Sequence, residues 1–281
     1  MNTTPSAQPS PTIAEPDYTA IKAKQNAAWS AGNYSVVGVT LQIVGERLCE
    51  ALDVRAGRRF LDVAAGNGNV SLAAARRFCE VTSTDYVTDL LERGRQRAEA
   101  DGFDIAFETA DAENLPMADA SFDYAASSFG VMFTPNQDSA ASELLRVTRS
   151  GGRIGLANWT PGGFIGQLFK TIGSHVTPPA GLRSPALWGT EARLDELFGA
   201  GADAIDIVER TYVWRYRSPD QWLNLWREVY GPLQKAFANL DAEGEESLSQ
   251  DLIALIDRFN VADDGTMVVP GHYLEVVVTK R

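Results

Sequence analysis

An apolar run, Phe60-Leu61-Asp62-Val63-Ala64, leads straight into Ala65-Gly66-Asn67-Gly68-Asn69, and the residues after it take on helical spacing. A strand that leaves through a glycine loop into a helix opens a parallel α/β layer, because the helix must carry the chain back before the next strand begins. The rhythm then repeats. Arg59–Ala64 reads as a strand, Val70–Phe78 as a helix, Glu80–Thr84 as a strand, and Thr88–Ala100 as a helix with Thr88 placed to cap it. Ile105–Thr109 and Phe122–Ser127 follow as strands, Asn136–Thr148 as a helix ended by Ser150-Gly151-Gly152, and Arg153–Asn158 as a fifth strand. Alternation of this kind predicts a parallel sheet with helices on both faces.

The flanks follow different rules. Residues 1–17 hold Pro5, Pro9, Pro11 and Pro16 among small polar residues, a mixture that predicts a flexible leader. Tyr18–Leu52 is helical with a break at Ala31-Gly32-Asn33. After Trp159 the spacing predicts a helix ending near His175, a helix over Glu191–Phe198, a strand over Ala204–Trp214, helices within Ser218–Phe259 and a last strand over His272–Thr279. The expected organisation is a single domain over 18–281. It has an N-terminal helical segment (18–52), a core (53–160) and helical segments capping the substrate side (161–200 and 217–268).

The chain carries 25 basic and 37 acidic residues, a net charge of −12. So acidic a surface repels phosphate backbones, and no basic run offsets it, so nucleic acid is not the expected partner. No stretch of about 18 apolar residues occurs, so membrane insertion is not expected. The start lacks the basic and apolar regions of a secretory signal, and Cys49 and Cys79 read as reduced core thiols, which together predict a cytoplasmic protein. With two histidines and two scattered cysteines, no metal site is expected. Nothing in the sequence speaks to oligomeric state.

The glycine loop carries the first chemistry. Gly66 and Gly68 permit a tight turn and a close approach of a ligand to backbone, and the following helix start offers free amide donors. Alone, such a loop is also an ordinary strand-to-helix turn. Asp85 stands 17 residues beyond Gly68, at the end of the second strand, where a carboxylate can accept from both hydroxyls of a ribose. Asp111, after the third strand in Thr109-Ala110-Asp111-Ala112-Glu113-Asn114-Leu115-Pro116, can accept from an adenine amino group while the Ala112 amide donates to a ring nitrogen. Either aspartate could instead be a turn or capping residue. In series with the glycines, they point to a nucleoside-bearing cofactor.

With these motifs in order, the chain resembles the class I S-adenosylmethionine-dependent methyltransferases, and most nearly the quinone-biosynthesis type of small-molecule C- and O-methyltransferases. The likeness rests on Leu61–Gly68, Ala110–Pro116, Ser121-Phe122-Asp123, Ser127–Phe133 and Glu143-Leu144-Leu145-Arg146-Val147 before Gly151-Gly152-Arg153, and spans about Leu41 to Phe198. It implies a Rossmann-like, seven-stranded, mostly parallel sheet with the last strand antiparallel, N-terminal helices, and a helical insert before the last strand. It also implies S-adenosylmethionine as cofactor. Ala64, Gly66 and Gly68 would line its methionine part, with Asp62 orienting the loop or meeting the ammonium through water. Asp85 would take the ribose and Tyr86 would pack beside the adenine. Asp111 and Ala112 would read the adenine edge, and carbonyls near Ser128 and Phe129 would hold the ammonium.

Methyl transfer from a sulfonium is an in-line displacement that favours a dry, weakly charged pocket. The implied acceptor is a small, apolar, aromatic molecule, methylated on oxygen or carbon, with Trp29, Tyr34, Phe133 and Trp159 as candidate walls; each also reads as plain core. His175, at a helix end, is the one candidate base, and a solvent-facing histidine fits the same position. Two other readings compete. A nicotinamide-dinucleotide oxidoreductase would want a third Gly or Ala where Ser71 stands. A non-catalytic S-adenosylmethionine-binding module would fit an intact cofactor motif without a base.

Overall fold

The computed structural model describes residues 16–281, and the expected leader falls almost wholly outside that range. Helices α1 (Tyr18–Trp29), α2 (Ser35–Gly38) and α3 (Gln42–Ala51) precede the sheet, with a 3₁₀ turn over Val39–Leu41 joining the last two. Asp17 caps α1 by accepting from the Ala20 amide at 3.0 Å. The core then runs β1 (Arg59–Val63), α4 (Asn69–Ala75), β2 (Glu80–Asp85), α5 (Thr88–Asp101), β3 (Ala106–Thr109), β4 (Phe122–Ser128), α6 (Gln137–Val147) and β5 (Thr148–Trp159). Beyond it lie α7 (Phe164–His175), α8 (Glu191–Phe198), β6 (Ala202–Tyr216), α9 (Pro219–Val229), α10 (Gly231–Ala238), α11 (Ala242–Phe259) and β7 (Met267–Lys280).

The seven strands form one sheet in the order β3-β2-β1-β4-β5-β7-β6. The first five are mutually parallel, and β7 slots antiparallel between β5 and β6. This is the Rossmann-like architecture expected from the sequence. The central strands are apolar on both faces, as helix-covered parallel strands must be. Phe60, Leu61 and Val63 of β1, Ala125 and Ala126 of β4 and Ile154 and Leu156 of β5 are fully buried. The strand order reverses between β1 and β4, and a crevice opens there above the carboxyl ends of the strands.

Three local expectations need correction. Thr88 is the first helical residue of α5 and does not cap it; the cap position is Val87, and the Val87 amide bonds to the Asp85 carboxylate at 2.8 Å instead. Ser150-Gly151-Gly152 does not end a helix, because α6 stops at Val147, where the Thr148 hydroxyl bonds back to the Leu144 carbonyl at 2.7 Å. The two glycines lie inside a longer β5, with Gly151 at φ +69° beside an irregular pairing with β4, which is what glycine in a strand often marks. The last strand begins at Met267 rather than His272, since β6 supplies it with partners along its whole length.

Two seams place the flanking helices. Gly32 bridges Tyr230, and a Cβ at Gly231 would run into the carbonyls of Ala28 and Ala31, so the end of α1 presses on the α9–α10 junction. Helix α11 packs along α7 and α9. The helices before β1 and those after β6 thereby meet over the crevice. No helix among the described residues is long and apolar enough to cross a membrane.

Candidate active site

The chain leaves β1 with Ala64 at φ +51°, Gly66 at +57° and Gly68 at +82°. Backbone strain at a non-glycine residue such as Ala64 persists only where the surroundings hold it. Here the Ala65 amide bonds the Thr84 carbonyl at 2.9 Å, the Gly66 amide bonds Asp85 Oδ2 at 2.8 Å, and Gly130 packs on the Ala64 carbonyl where no Cβ would fit. Arg97 completes the clamp from outside, donating from Nη1 to the Asn67 carbonyl at 2.6 Å and to Asn69 Oδ1 at 2.9 Å.

Two buried carboxylates stand beneath this loop. Asp85 also accepts from the Val87 amide, so each of its oxygens takes one backbone N–H. Burial pushes its carboxyl up to about 6, with the N–H bonds opposing the shift. Asp62 is fully buried, and its Oδ2 accepts from the Ser71 amide at 2.8 Å and the Ser71 hydroxyl at 2.6 Å. Its Oδ1 is buried without a partner, and burial raises the carboxyl to about 7.

A pocket of about 930 Å³, partly open to solvent, sits above them. Asp62, Ala64, Gly66, Asp85, Tyr86, Asp111, Ala112, Ser128 and Phe129 all stand in its wall. Gly68 does not; it is the N-cap of α4, in the left-handed region, while its neighbours Asn67 and Asn69 line the pocket.

Sequence reasoning singled out Trp29 but missed the polar residues that share the roof of this pocket with it. Lys22 Nζ lies 2.6 Å from Asp111 Oδ2 and 3.0 Å from Glu113 Oε2. Burial works against the ammonium, yet the two carboxylates hold its pKa above the ordinary value. Gln25 donates to the Phe133 carbonyl at 3.1 Å and Asn26 to the Tyr86 carbonyl at 2.8 Å. Lys22, Gln25, Asn26 and Trp29 recur at helical spacing on α1, so one polar face with a terminal aromatic was there to be read.

A second, apolar chamber adjoins the first, about 320 Å³ of space when its opening to solvent is included, and shares with it Trp29, Tyr34, Leu41, Phe129 and Phe133. Its remaining walls are Val37, Trp159, Ile165, Phe169, Trp214, Trp226 and Tyr230. All four candidate acceptor residues thus line one chamber, Trp159 from this side alone. The rings are locked edge to face, with Trp29 centred 5.4 Å from Tyr34, 5.1 Å from Phe133 and 5.6 Å from Tyr230, while Phe129 stacks flat on Trp159 at 3.8 Å. Among the described residues, none that lines it is a carboxylate, an amine, a guanidinium or an imidazole. Burial pushes the phenols of Tyr34 and Tyr230 upward, so both stay neutral. Trp188 and Trp222 line neither cavity and are core.

His175 walls neither cavity, and its Nε2 sits 2.7 Å from Asp251 Oδ2 on α11. His272 lies on β7 opposite Thr211 of β6, with its Nδ1 3.5 Å from Glu209 Oε1. Cys49 and Cys79 are buried free thiols, and burial raises the pKa of both. Among the described residues, no three His, Cys, Asp or Glu side chains gather as a metal site.

Residues 61–156 match a family profile described as a methyltransferase domain. An uncharacterized protein of Mycobacterium tuberculosis is 35% identical over 275 residues, covering 96% of this chain and 98% of its own. A demethylmenaquinone methyltransferase of Beutenbergia cavernae is 37% identical over 155 residues, covering 50% of this chain and 63% of that enzyme. In shape, the chain is similar to the YcgJ protein of Bacillus subtilis, with a TM-score of 0.59 at 19% identity, over 87% of this chain and 99% of that one.

Proposed function

The chain belongs to the class I S-adenosylmethionine-dependent methyltransferases, and from that premise we propose how its two cavities divide the reaction. Membership makes it an enzyme whose methyl donor is S-adenosylmethionine, and the nicotinamide reading is not favoured. The larger pocket would take the cofactor and the aromatic chamber the acceptor.

The residues present fit that cofactor. Asp62 keeps a buried carboxylate oxygen without a partner, suited to an ammonium or to a water bound to one. The positive-φ loop leaves its backbone bare to a ligand. Asp85 retains a lone pair on each oxygen after its two N–H bonds, enough for two ribose hydroxyls. Asp111 and Ala112 would meet the adenine edge, with Tyr86 beside it and the carbonyls near Ser128 and Phe129 at the methionine end. Lys22 shares Asp111, so α1 would close over the nucleoside. S-adenosylmethionine supplies a methyl group on a positively charged sulfur. The protein's own task is to hold a nucleophile in line with it and keep water out.

The acceptor is a small, largely apolar, aromatic molecule methylated on oxygen or carbon. One observation carries this: the chamber beside the cofactor pocket has no charged side chain and shares five of its walls with that pocket. A quinone of the kind named in the demethylmenaquinone methyltransferases belongs to this class. The net charge of −12 argues against nucleic acid. With no imidazole or carboxylate in the chamber wall, positioning and desolvation carry the chemistry, and His175 is not the base. The domain is proposed as one catalytic unit over 18–281, because residues from α1, α7, α9 and the α9–α10 junction complete the chamber. Turnover of labelled methyl donor on a panel of naphthols, quinols, peptides and oligonucleotides tests the reading. Methylation confined to the macromolecules would overturn it.

A further inference from the structure

Among the described residues, the sheet ends at β6, a strand of 15 residues with a neighbour on one side only. A long edge carries a row of backbone donors and acceptors without ladder partners, and folds blunt such edges with Pro, Lys or a covering helix. Strand β6 contains neither Pro nor Lys, and from 203 to 211 none of its side chains is buried on either face.

Exposed apolar side chains collect in the same corner. Val208 of β6 is 44% exposed, and Val36, Val39 and Ile43 on the α2–α3 helical stretch are 38%, 41% and 48% exposed. These helices touch the edge strand. The Tyr212 hydroxyl donates to the Thr40 carbonyl at 3.0 Å, and Arg47 approaches the Thr211 carbonyl at 3.5 Å. Ile43 is three residues from Thr40 and four from Arg47, which places it between these contacts on one helical face.

The charges of β6 are self-complementary. Asp203, Asp206 and Glu209 occupy its first half, Arg210 and Arg215 its second. Antiparallel pairing with an identical strand brings acidic half against basic half. A two-fold axis normal to the sheet at Val208 sets Val208 opposite itself. It also sets Asp206 opposite Arg210 of the second copy, twice, all on one face because the positions are an even number apart. Arg210 is available for this. It holds the buried Glu275 through Nε and Nη2, at 3.2 and 3.0 Å, while its side chain stays 45% exposed. A guanidinium has five N–H donors, so others remain.

We propose that a second copy of this chain pairs antiparallel along β6, joining two seven-stranded sheets across a two-fold axis at Val208. The contact is isologous: apolar at the axis, flanked by two Asp206–Arg210 pairs, with Ile43 and its neighbours widening the apolar centre.

Sedimentation velocity on the full chain, from low micromolar to its highest soluble concentration, tests this. The expected result is a dimer that dissociates on dilution and more readily at high salt. Val208→Lys puts two ammonium groups at the axis, and Asp206→Lys turns both cross-strand pairs into repulsions; each is expected to weaken association roughly tenfold or more. Both positions are exposed and far in the sheet from the cofactor pocket, so melting temperature and S-adenosylhomocysteine affinity should hold, showing that the variants fold. A chain that stays monomeric throughout overturns the proposal, as does a dimer that both variants leave unchanged.

Discussion

Lys22 and Asp111 are 89 residues apart in sequence, yet Lys22 Nζ stands 2.6 Å from Asp111 Oδ2. The pair ties α1 to the loop after β3 across the mouth of the cofactor pocket, and the amide bonds of Gln25 and Asn26 extend the same clasp. On the proposed reading, α1 lifts to admit and release the cofactor. Lys22→Met is expected to speed release of S-adenosylhomocysteine. Both side chains are about a third exposed, and partly exposed pairs are worth up to about 1 kcal/mol. The rate should thus rise by roughly fivefold or less, read as Trp29 fluorescence in stopped flow. An unchanged release rate would remove α1 from the gating step.

Asp85 is expected to dominate cofactor affinity. Asp85→Ala removes both proposed ribose acceptors and should weaken S-adenosylhomocysteine binding by about 1.5–3 kcal/mol, the range for hydrogen bonds to a charged group. The same change leaves the Gly66 and Val87 amides without their acceptor, so calorimetry must be paired with a melting curve. Unchanged affinity in a folded variant refutes the assignment.

What the sequence made legible is local in the chain. Asp62 through Asn69 run out of a strand whose apolar pattern is plain, Asp85 and Asp111-Ala112 stand at the ends of the two short strands that alternate with helices after it, and parallel strands fix where their ends lie. What it hid depends on distant pairings. Trp29 and Tyr230 meet because Gly231 lets the α10 start press on the end of α1, and no local pattern announces that. His175 could be placed at a helix end, but its Asp251 partner lies 76 residues onward on a helix whose packing direction the sequence left open. The strand bounds of β5 and β7 were read short because Gly151-Gly152 and Pro270-Gly271 look like breaks when the neighbouring strands that satisfy them are unseen.

The two buried aspartates make a pH prediction whose sign follows from burial. Both pKa values are raised above the unfolded value of 3.8, to about 7 for Asp62 and about 6 for Asp85. The folded protein therefore binds more protons than the unfolded chain between roughly pH 4 and 7, and stability from these groups falls as pH rises through that window. Asp62→Asn keeps an acceptor for the Ser71 amide and hydroxyl while removing the buried charge. Its melting temperature in the absence of cofactor should match or exceed that of the unaltered protein at pH 8, and the difference should shrink at pH 5. A variant less stable at pH 8 than at pH 5, relative to the unaltered protein, would contradict the assignment.

The division of labour between the two cavities gives the most discriminating prediction. Phe169 lines the aromatic chamber and not the cofactor pocket, and packs edge to face on Phe133 at 5.5 Å. Phe133 is one of the shared walls, and its ring is also held by Trp29, centred 5.1 Å away. Phe169→Ala should enlarge the acceptor space without moving the loop after β1 or the two aspartates. A small aromatic acceptor would then bind in several poses, few of them in line with the methyl group, and misplacement of this kind is costly in rate. The expected outcome is a fall of roughly tenfold or more in kcat/KM for small acceptors, with S-adenosylhomocysteine affinity nearly constant. Bulkier aromatic acceptors should lose less, or gain. Side-by-side turnover of a one-ring and a two-ring acceptor, with calorimetry on the same preparations, reads both arms. Equal loss for both acceptors, or a parallel loss of cofactor affinity, would mean that the chamber is structural core and that the acceptor enters elsewhere.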